Sequence, residues 1–363
     1  MERIRKGLEN AKRPLVVAGN GIRLAGCLER FRAFISLTRL PFVTTWGGAD
    51  LIETEHELNL GIIGMCGQPG ANSAVSKADF LLALGTHLSI PQTGNPPEMF
   101  APNAAKAIVD IDQDQLDNLT WRPDISVCSH LRDFFDAAMH YQDRPITENW
   151  YLGSKSANVM PHIGSYAFNR RMTAALPAGS IMVVDGGGTA LYTGFQSSIV
   201  KQDSRLICSS SMSAMGSGLP EAVGACIASN RRLTTCLIGD GSFMFNMQEL
   251  ATISHHELPI KIFIISNDGY LAIRHTQDAF REGRHYGSEG HDLSFVDIPP
   301  LAAAFLISSY QMNWDDELPE GLFDDPLPAI IEVHCPFDQQ MVRQKFIDGK
   351  PQPLSDMEIP SED

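Results

Sequence analysis

The stretch that decides the fold begins with Leu233-Thr234-Thr235-Cys236-Leu237-Ile238-Gly239-Asp240-Gly241-Ser242. It resumes with Ile260-Lys261-Ile262-Phe263-Ile264-Ile265-Ser266-Asn267-Asp268-Gly269-Tyr270. Each apolar run has the length and composition of a strand buried on both faces, and each stops at glycine beside Asp or Asn. Twenty-five residues, Ser242 to Ser266, separate Gly241 from Asn267, and they include the amphipathic segment Asn246 to His256. A strand, helix, strand unit of this length returns the second strand parallel to the first. Asp240 and Asn267 are therefore expected side by side, just past the carboxyl ends of their strands, where open α/β sheets bind ligands.

Two hard oxygen donors beside glycines suggest a divalent cation carrying a phosphorylated ligand. Asp240 offers a carboxylate and Asn267 an amide oxygen, while glycine lets backbone groups approach closely, which suits Mg²⁺ and its six oxygens. Gly241 and Ser242 would present amides to phosphate at the start of a helix.

Working outward, the second half of the chain opens with a predicted helix, Ser165 to Leu176, and a strand, Ile181 to Val184, that ends in Asp185-Gly186-Gly187-Gly188-Thr189. That glycine run reads either as a tight turn or as a phosphate cradle of backbone amides. A strand over Arg205 to Cys208 leads into Ser211-Met212-Ser213-Ala214-Met215-Gly216-Ser217-Gly218-Leu219-Pro220 and a helix of small residues, Glu221 to Ala228. By composition alone Met215 is core filler. Ala329 to Val333 is the expected last strand, Arg281 to His291 a glycine-rich mobile lid, and Arg274 with His275 a solvated helix face.

The first 142 residues alternate strands and helices as well, with strands expected within Arg13 to Gly21, Pro41 to Trp46, Asp79 to Gly85 and Ala107 to Asp112. The expectation is an α/β protein of two three-layer domains with mainly parallel sheets. Its parts are a first domain over 1–142, a linker over 143–157, a second domain over 158–345 and a polar tail over 346–363. Gly19-Asn20-Gly21 invites a dinucleotide reading, but the third glycine of the GxGxxG spacing is replaced by Leu24. A glycine turn packing a helix onto the sheet accounts for it better.

With 44% hydrophobic and 20% charged residues, the 363-residue chain has the composition of a globular protein. A formal net charge of -15 argues against a nucleic-acid partner. No apolar window approaches the length of a membrane span, and the charged N-terminus lacks a signal-peptide core, so the expected location is cytoplasmic. The seven scattered cysteines read as reduced, mainly buried thiols.

The run GDGSFMFNMQELATI…LPIKIFIISNDGYLAIR resembles the cofactor motif of thiamine diphosphate enzymes, in the acetolactate synthase and pyruvate oxidase branch. Lys12-Arg13-Pro14, Pro41-Phe42-Val43-Thr44-Thr45, Gly61-Ile62-Ile63-Gly64-Met65 and Asp79 to Gly85 are similar to the central domain of the same enzymes. The resemblance implies a Rossmann-like central domain followed by a thiamine diphosphate-binding fold. It implies Mg²⁺ on Asp240, Asn267 and the Gly269 carbonyl, and diphosphate contacts from Gly187, Gly188, Thr189, Gly239, Gly241 and Ser242. The carbonyl of Ser213 and the amide of Met215 would meet the pyrimidine, with the Met215 side chain under the bend between the two rings. Tyr270 and Leu271 would border the cofactor, and Ala272, Ile273 and Thr276 the substrate. In flavin-using relatives the segment after the fourth strand carries an arginine; Gly85-Thr86-His87-Leu88-Ser89 has none, so FAD is not expected.

The implied reaction is decarboxylation of a 2-oxo acid, pyruvate foremost, with transfer of the acyl unit to a second carbonyl compound. A decarboxylase releasing an aldehyde and a non-catalytic regulatory subunit are the alternatives; a split decarboxylase for a sulfonate- or phosphonate-bearing 2-oxo acid is a further one. The family places an activating glutamate in a separate pyrimidine-binding domain, and no segment here resembles it. Glu249 belongs to the cofactor helix and reads as structural. Either a second polypeptide supplies that domain or this is a fragment of a longer chain; Met1 and a coherent first helix favour the split enzyme, expected as a hetero-oligomer with two copies of each chain.

Overall fold

The computed structural model describes residues 1–138, 149–209, 211–347 and 349–360. The chain divides into two compact units, one of Met1–Val159 with Arg343–Glu358 and one of Met160–Val342 with Ile359–Asp363. Each is built on a six-stranded parallel sheet, the α/β architecture that the alternating pattern predicts.

In the first unit the strands are β1 (Pro14–Ala18), β2 (Phe42–Thr44), β3 (Asn59–Ile62), β4 (Phe80–Leu84), β5 (Ala105–Asp110) and β6 (Ile125–Cys128), in the order β3-β2-β1-β4-β5-β6. Every residue of β1 and β4 is buried, which requires cover on both faces of the sheet. Part of that cover is aromatic. Phe31 and Phe34 of helix α1 (Leu28–Thr38) pack edge-on or tilted against Phe42, Phe134 and Phe135, the last two carried by helix α2 (Leu131–Ala138). Ring pairs of this kind add about 0.5–1.5 kcal/mol each beyond their buried area.

Of the segment expected to link the units, residues 143–148 lie outside the described residues. The remainder contains a short helix, α3 (Leu152–Ser156). Beyond it, Asn158 accepts from the Ala71 N–H and donates to the Leu60 carbonyl within the first unit. The polar C-terminal stretch returns to this unit too. Arg343–Gln344 pairs antiparallel with Met357–Glu358, and Leu354 lies against Gly94.

The second unit comprises β7 (Ile181–Val184), β8 (Arg205–Ile207), β9 (Thr234–Gly239), β10 (Ile260–Ser266), β11 (Ser308–Asn313) and β12 (Ala329–His334), in the order β11-β12-β10-β9-β7-β8. The central strands β7, β9 and β10 are buried almost throughout. Helices α4 (Gly164–Ala175), α5 (Gly188–Ser197), α6 (Gly218–Ala228) and α7 (Leu271–Phe280) flank them. The amphipathic crossover between β9 and β10 forms a 3₁₀ turn, Met247–Glu249, running into a helical turn, Leu250–His255. Leu250 and Ile253 are its buried contacts, as their spacing requires. All seven cysteines are free thiols. Among the described residues no helix is long and apolar enough to cross a membrane.

Candidate functional site

Strand register sets the site. Ile238 of β9 lies opposite Ile264 of β10, and Gly239 opposite Ile265, while Val184 of β7 lies opposite Leu237 of β9. Three neighbouring strands therefore stop at one level, and Asp185, Asp240 and Asn267 follow directly from them.

Asp240 is the hub. Its Oδ1 accepts from the Gly241 N–H at 2.7 Å, and its Oδ2 accepts from the N–H groups of Asn267 at 3.0 Å and Gly269 at 3.3 Å. The carboxylate thus holds the turn that follows β10. Burial raises its pKa to about 6, against the opposing pull of those amide donors. At neutral pH it is an anion in a buried place, a charge that a bound cation would compensate.

Asn267 supplies the second observation. It is 3% exposed, and its side-chain Oδ1 is buried without a hydrogen-bond partner. Such an atom costs about 1–3 kcal/mol, and a metal ligand would remove that cost. Among the described residues no group of three or more His, Cys, Asp or Glu side chains gathers into a metal site. A cation here would draw on the Asp240 carboxylate, on amide and carbonyl oxygens and on oxygens of its own ligand, a donor set that fits Mg²⁺.

The opposite wall is organised by Asp185, a residue the motif reading left without a role. Fully buried, it accepts from the Gly187 N–H at 2.7 Å and the Gly218 N–H at 2.9 Å, tying the glycine run to the start of α6. Burial raises its pKa too. The glycines are required by packing, since a methyl group at Gly187 would strike the Ser242 hydroxyl and one at Gly188 the Ala272 methyl. Between these elements runs the loop bearing Met215. Its Ser213 sits at φ 46°, in the left-handed region, and donates its N–H to the Ser209 carbonyl at 2.7 Å. Non-glycine residues persist there only where the surroundings over-determine them, a situation common at functional sites.

These walls enclose a cleft with an empty volume of about 340 Å³. It brings together Gly187, Gly188, Thr189, Met215, Gly239, Asp240, Gly241, Ser242, Gly269, Tyr270, Leu271, Ala272 and Ile273. Three of the sequence candidates do not line it. Ser213 is half-buried in the preceding loop, Asn267 is buried against Asp240, and Thr276 is exposed one turn further along α7, where its hydroxyl donates to the Ala272 carbonyl.

Two expectations fail here. Arg274 and His275 are not a solvated face but are 3% and 4% exposed. The sign was available, because positions i+3 and i+4 from the buried Leu271 share its inward stripe. The segment expected as a mobile lid is fastened instead. Gly269 forms a β-bridge with Glu289, the Tyr270 N–H donates to the fully buried Ser288 at 2.9 Å, and His285 lies between Asp278 and Glu289. Local sequence composition could not reveal those long-range ties. Cys208 and Cys335, both pushed up to about 12 by burial, are protonated thiols and not nucleophiles at neutral pH.

A buried anion, an orphaned amide oxygen and glycine walls meet at the carboxyl edge of this parallel sheet. Residues 1–138 match the thiamine pyrophosphate enzyme central domain, and residues 186–333 match the thiamine pyrophosphate enzyme C-terminal TPP binding domain. Together the two matches take in most of the chain, which belongs to the thiamine pyrophosphate enzymes.

Within that family the similarity is to acetolactate synthases. The chain is 28% identical over 332 residues to acetolactate synthase isozyme 2 large subunit of Escherichia coli K12, covering 89% of this chain and 59% of that one. To the acetolactate synthase large subunit of Lactococcus lactis it is 28% identical over 351 residues, 90% of this chain and 58% of the relative. Acetolactate synthase 1, chloroplastic, of Zea mays is 27% identical over 373 residues, 94% of this chain and 56% of the relative. The chain therefore spans just under three-fifths of the length of the curated relatives it matches.

Proposed function

We propose that this chain is the diphosphate-binding part of an acetolactate synthase-like carboligase, which decarboxylates a 2-oxo acid, pyruvate foremost, and passes the acyl unit to a second carbonyl compound. The observation that carries the reading is the unpartnered, buried Oδ1 of Asn267, a residue bonded to the Asp240 carboxylate that lines the glycine-walled cleft. On this reading Asp240, Asn267 and the Gly269 carbonyl hold Mg²⁺. Gly187, Gly188, Gly241 and Ser242, with Thr189 and Gly239, form the wall toward the diphosphate, the Gly187 and Gly241 N–H groups being held by Asp185 and Asp240. When bound, thiamine diphosphate supplies the electron sink that lets the carboxyl group leave as CO₂.

The chain's own residues do the positioning. Met215 would support the cofactor, the Ser213 carbonyl and Met215 N–H would hold its pyrimidine, and Tyr270 and Leu271 line the cleft beside it. Ala272 and Ile273 present an apolar surface to the substrate, with Thr276 at its outer margin. Such fixed placement contributes through orientation rather than through proton transfer by this chain.

The activating glutamate and pyrimidine-binding domain belong, in this proposal, to a second polypeptide, in a cytoplasmic hetero-oligomer with two copies of each chain. In support of that arrangement, Asp185 and Asp240 are already engaged by main-chain amides and Glu249 by Thr252. The test is reconstitution. Purified chain mixed with its candidate partner, Mg²⁺, thiamine diphosphate and pyruvate should form an acetolactate-type product, and the chain alone should not. Full activity from the chain alone refutes the partner, acetaldehyde as sole product makes the enzyme a decarboxylase, and no Mg²⁺-dependent cofactor binding by calorimetry defeats the reading altogether.

A further inference from the structure

The turn that presents Asn267 and Gly269 contains two successive residues with positive φ, Asp268 at 57° and Gly269 at 134°. Such a turn is held only if its surroundings over-determine it. On its amide side the holder is the Asp240 carboxylate, which accepts from Asn267 and Gly269. On its carbonyl side the holder is Arg274. The Arg274 Nη2 donates to the Asn267 carbonyl at 3.2 Å and the Phe337 carbonyl at 2.9 Å. Its Nη1 donates to the carbonyls of Asp268 and Ser288, each at 3.3 Å. The guanidinium carbon lies 4.1 Å from the centre of the Phe337 ring.

One planar cation therefore joins three separated pieces of chain: the turn after β10, the segment through Ser288, and the loop after β12. Lysine, a point charge on a flexible stem, cannot span four acceptors in this way. The arrangement is more than packing. Asp240 and Arg274 grip the same turn, one through the amides of Asn267 and Gly269 and the other through the carbonyls of Asn267 and Asp268, and their charges attract. A core arginine placed for stability alone would have no need to hold consecutive carbonyls of the segment that bears the unpartnered Asn267 oxygen.

We propose that Arg274 is the positioning residue of this turn: by fixing the Asn267 and Asp268 carbonyls it holds the Asn267 amide oxygen and the Gly269 carbonyl in place, and so sets the affinity for Mg²⁺ and diphosphate. The inference rests on the cofactor reading above. Removing the guanidinium takes a donor from four carbonyls, of which Ser288 keeps the Tyr270 N–H, and lets the strained turn relax. Groups that orient metal ligands from behind typically cost 10–100-fold in metal affinity when lost.

The test compares wild type, Arg274→Lys and Arg274→Met as purified full chains, titrated calorimetrically with thiamine diphosphate at fixed Mg²⁺, with amide exchange measured in parallel. Arg274→Met should weaken Mg²⁺-dependent binding by about 10–100-fold, with Arg274→Lys between it and wild type. Exchange should quicken at Gly269, Tyr270 and Glu289 but not in β7 or β9, and millimolar guanidinium should restore part of the affinity of Arg274→Met. With partner present, the KM for Mg²⁺ should rise while kcat at saturating Mg²⁺ stays near wild type. Wild-type affinity in a folded Arg274→Met overturns the inference, as does protection lost uniformly across the unit. Should Arg274→Met not fold, wild-type affinity in Arg274→Lys overturns it equally. If wild type itself shows no Mg²⁺-dependent binding, the cofactor reading falls and this inference with it; binding by wild type that the variants share removes the inference alone.

Discussion

In the first unit the Gly19 N–H donates to the Leu84 carbonyl and the Gly21 N–H to the Gly85 carbonyl, where β1 and β4 end. In the second unit the amides that follow β9 and β10 donate instead to a carboxylate, while an amide oxygen beside it has no donor. Both places combine parallel strands with glycine turns at the carboxyl edge of a sheet. In the first, glycine allows backbone to seal against backbone, and a methyl group at Gly19 would collide with the Gly85 carbonyl. In the second, glycine keeps side chains out of a cleft beside a buried carboxylate and a spare acceptor. The same local signature thus closes one sheet edge and opens the other. What separates them is the acid and the amide set among the glycines of the second.

The sharpest way to break this contrast is to remove the acid. Asp240→Asn preserves shape but deletes the charge, and it should abolish Mg²⁺-dependent thiamine diphosphate binding, a loss of at least about 100-fold by calorimetry. The unliganded variant should also melt below wild type, because either orientation of the new amide turns its NH2 toward main-chain N–H groups that the carboxylate accepts from. Retained affinity would mean that the cleft does not work through a cation at all.

Next come the glycines. Gly19→Ala and Gly186→Ala each place a methyl group against main chain, at Gly85 in one unit and at the Ser213–Ala214 peptide in the other. Each should cost about 1–3 kcal/mol, as overpacked sites do, read from denaturant midpoints. Only Gly186→Ala should also weaken cofactor binding. Equal losses of affinity in both variants would erase the distinction between the edges. Wild-type chain mixed with FAD and desalted should retain no flavin, since the Gly19 and Gly21 amides are already spent on main-chain carbonyls; retained stoichiometric FAD would place a second ligand at the edge described here as sealed.

How much of this the sequence could show follows from where the free energy resides. The buried strands β1, β4, β7, β9 and β10 are continuous apolar runs ended by glycine, and their positions were legible. Ile125–Cys128 and Ser308–Asn313 were not read as strands, because edge strands are half-solvated and carry no such run. The cleft was legible for a similar reason, its residues lying within a few positions of strand ends. Asp185 went unassigned because one of its partners, Gly218, lies 33 residues away from it. Arg274 was misplaced because charge outweighed helical period in reading α7, although the carbonyls that satisfy it come from segments as far off as Phe337.

The smallest expected effect concerns the fastening of the second edge, which the first lacks. His285 has Nε2 2.7 Å from Asp278 Oδ1 and Nδ1 3.2 Å from Glu289 Oε2, so each ring nitrogen meets an acceptor. The hydrogen bond to Asp278, above all, raises its pKa from the ordinary 6.5. The protonated ring joins α7 to the strand-like residue that bridges Gly269. Because the folded value is the higher one, its contribution is complete below about pH 6.5 and fades as pH rises through the raised value. Amide exchange at Ser288 and Glu289, corrected for intrinsic rates, should therefore quicken above neutrality, with no matching change around Gly19 and Gly85. His285→Gln should flatten that dependence. His291→Gln serves as control, since His291 also approaches Glu289, at 3.5 Å. The effect should be modest, as it is for ion pairs near solvent. An unchanged pH profile in His285→Gln would show that the segment is held by Arg274 and the main-chain bridge alone.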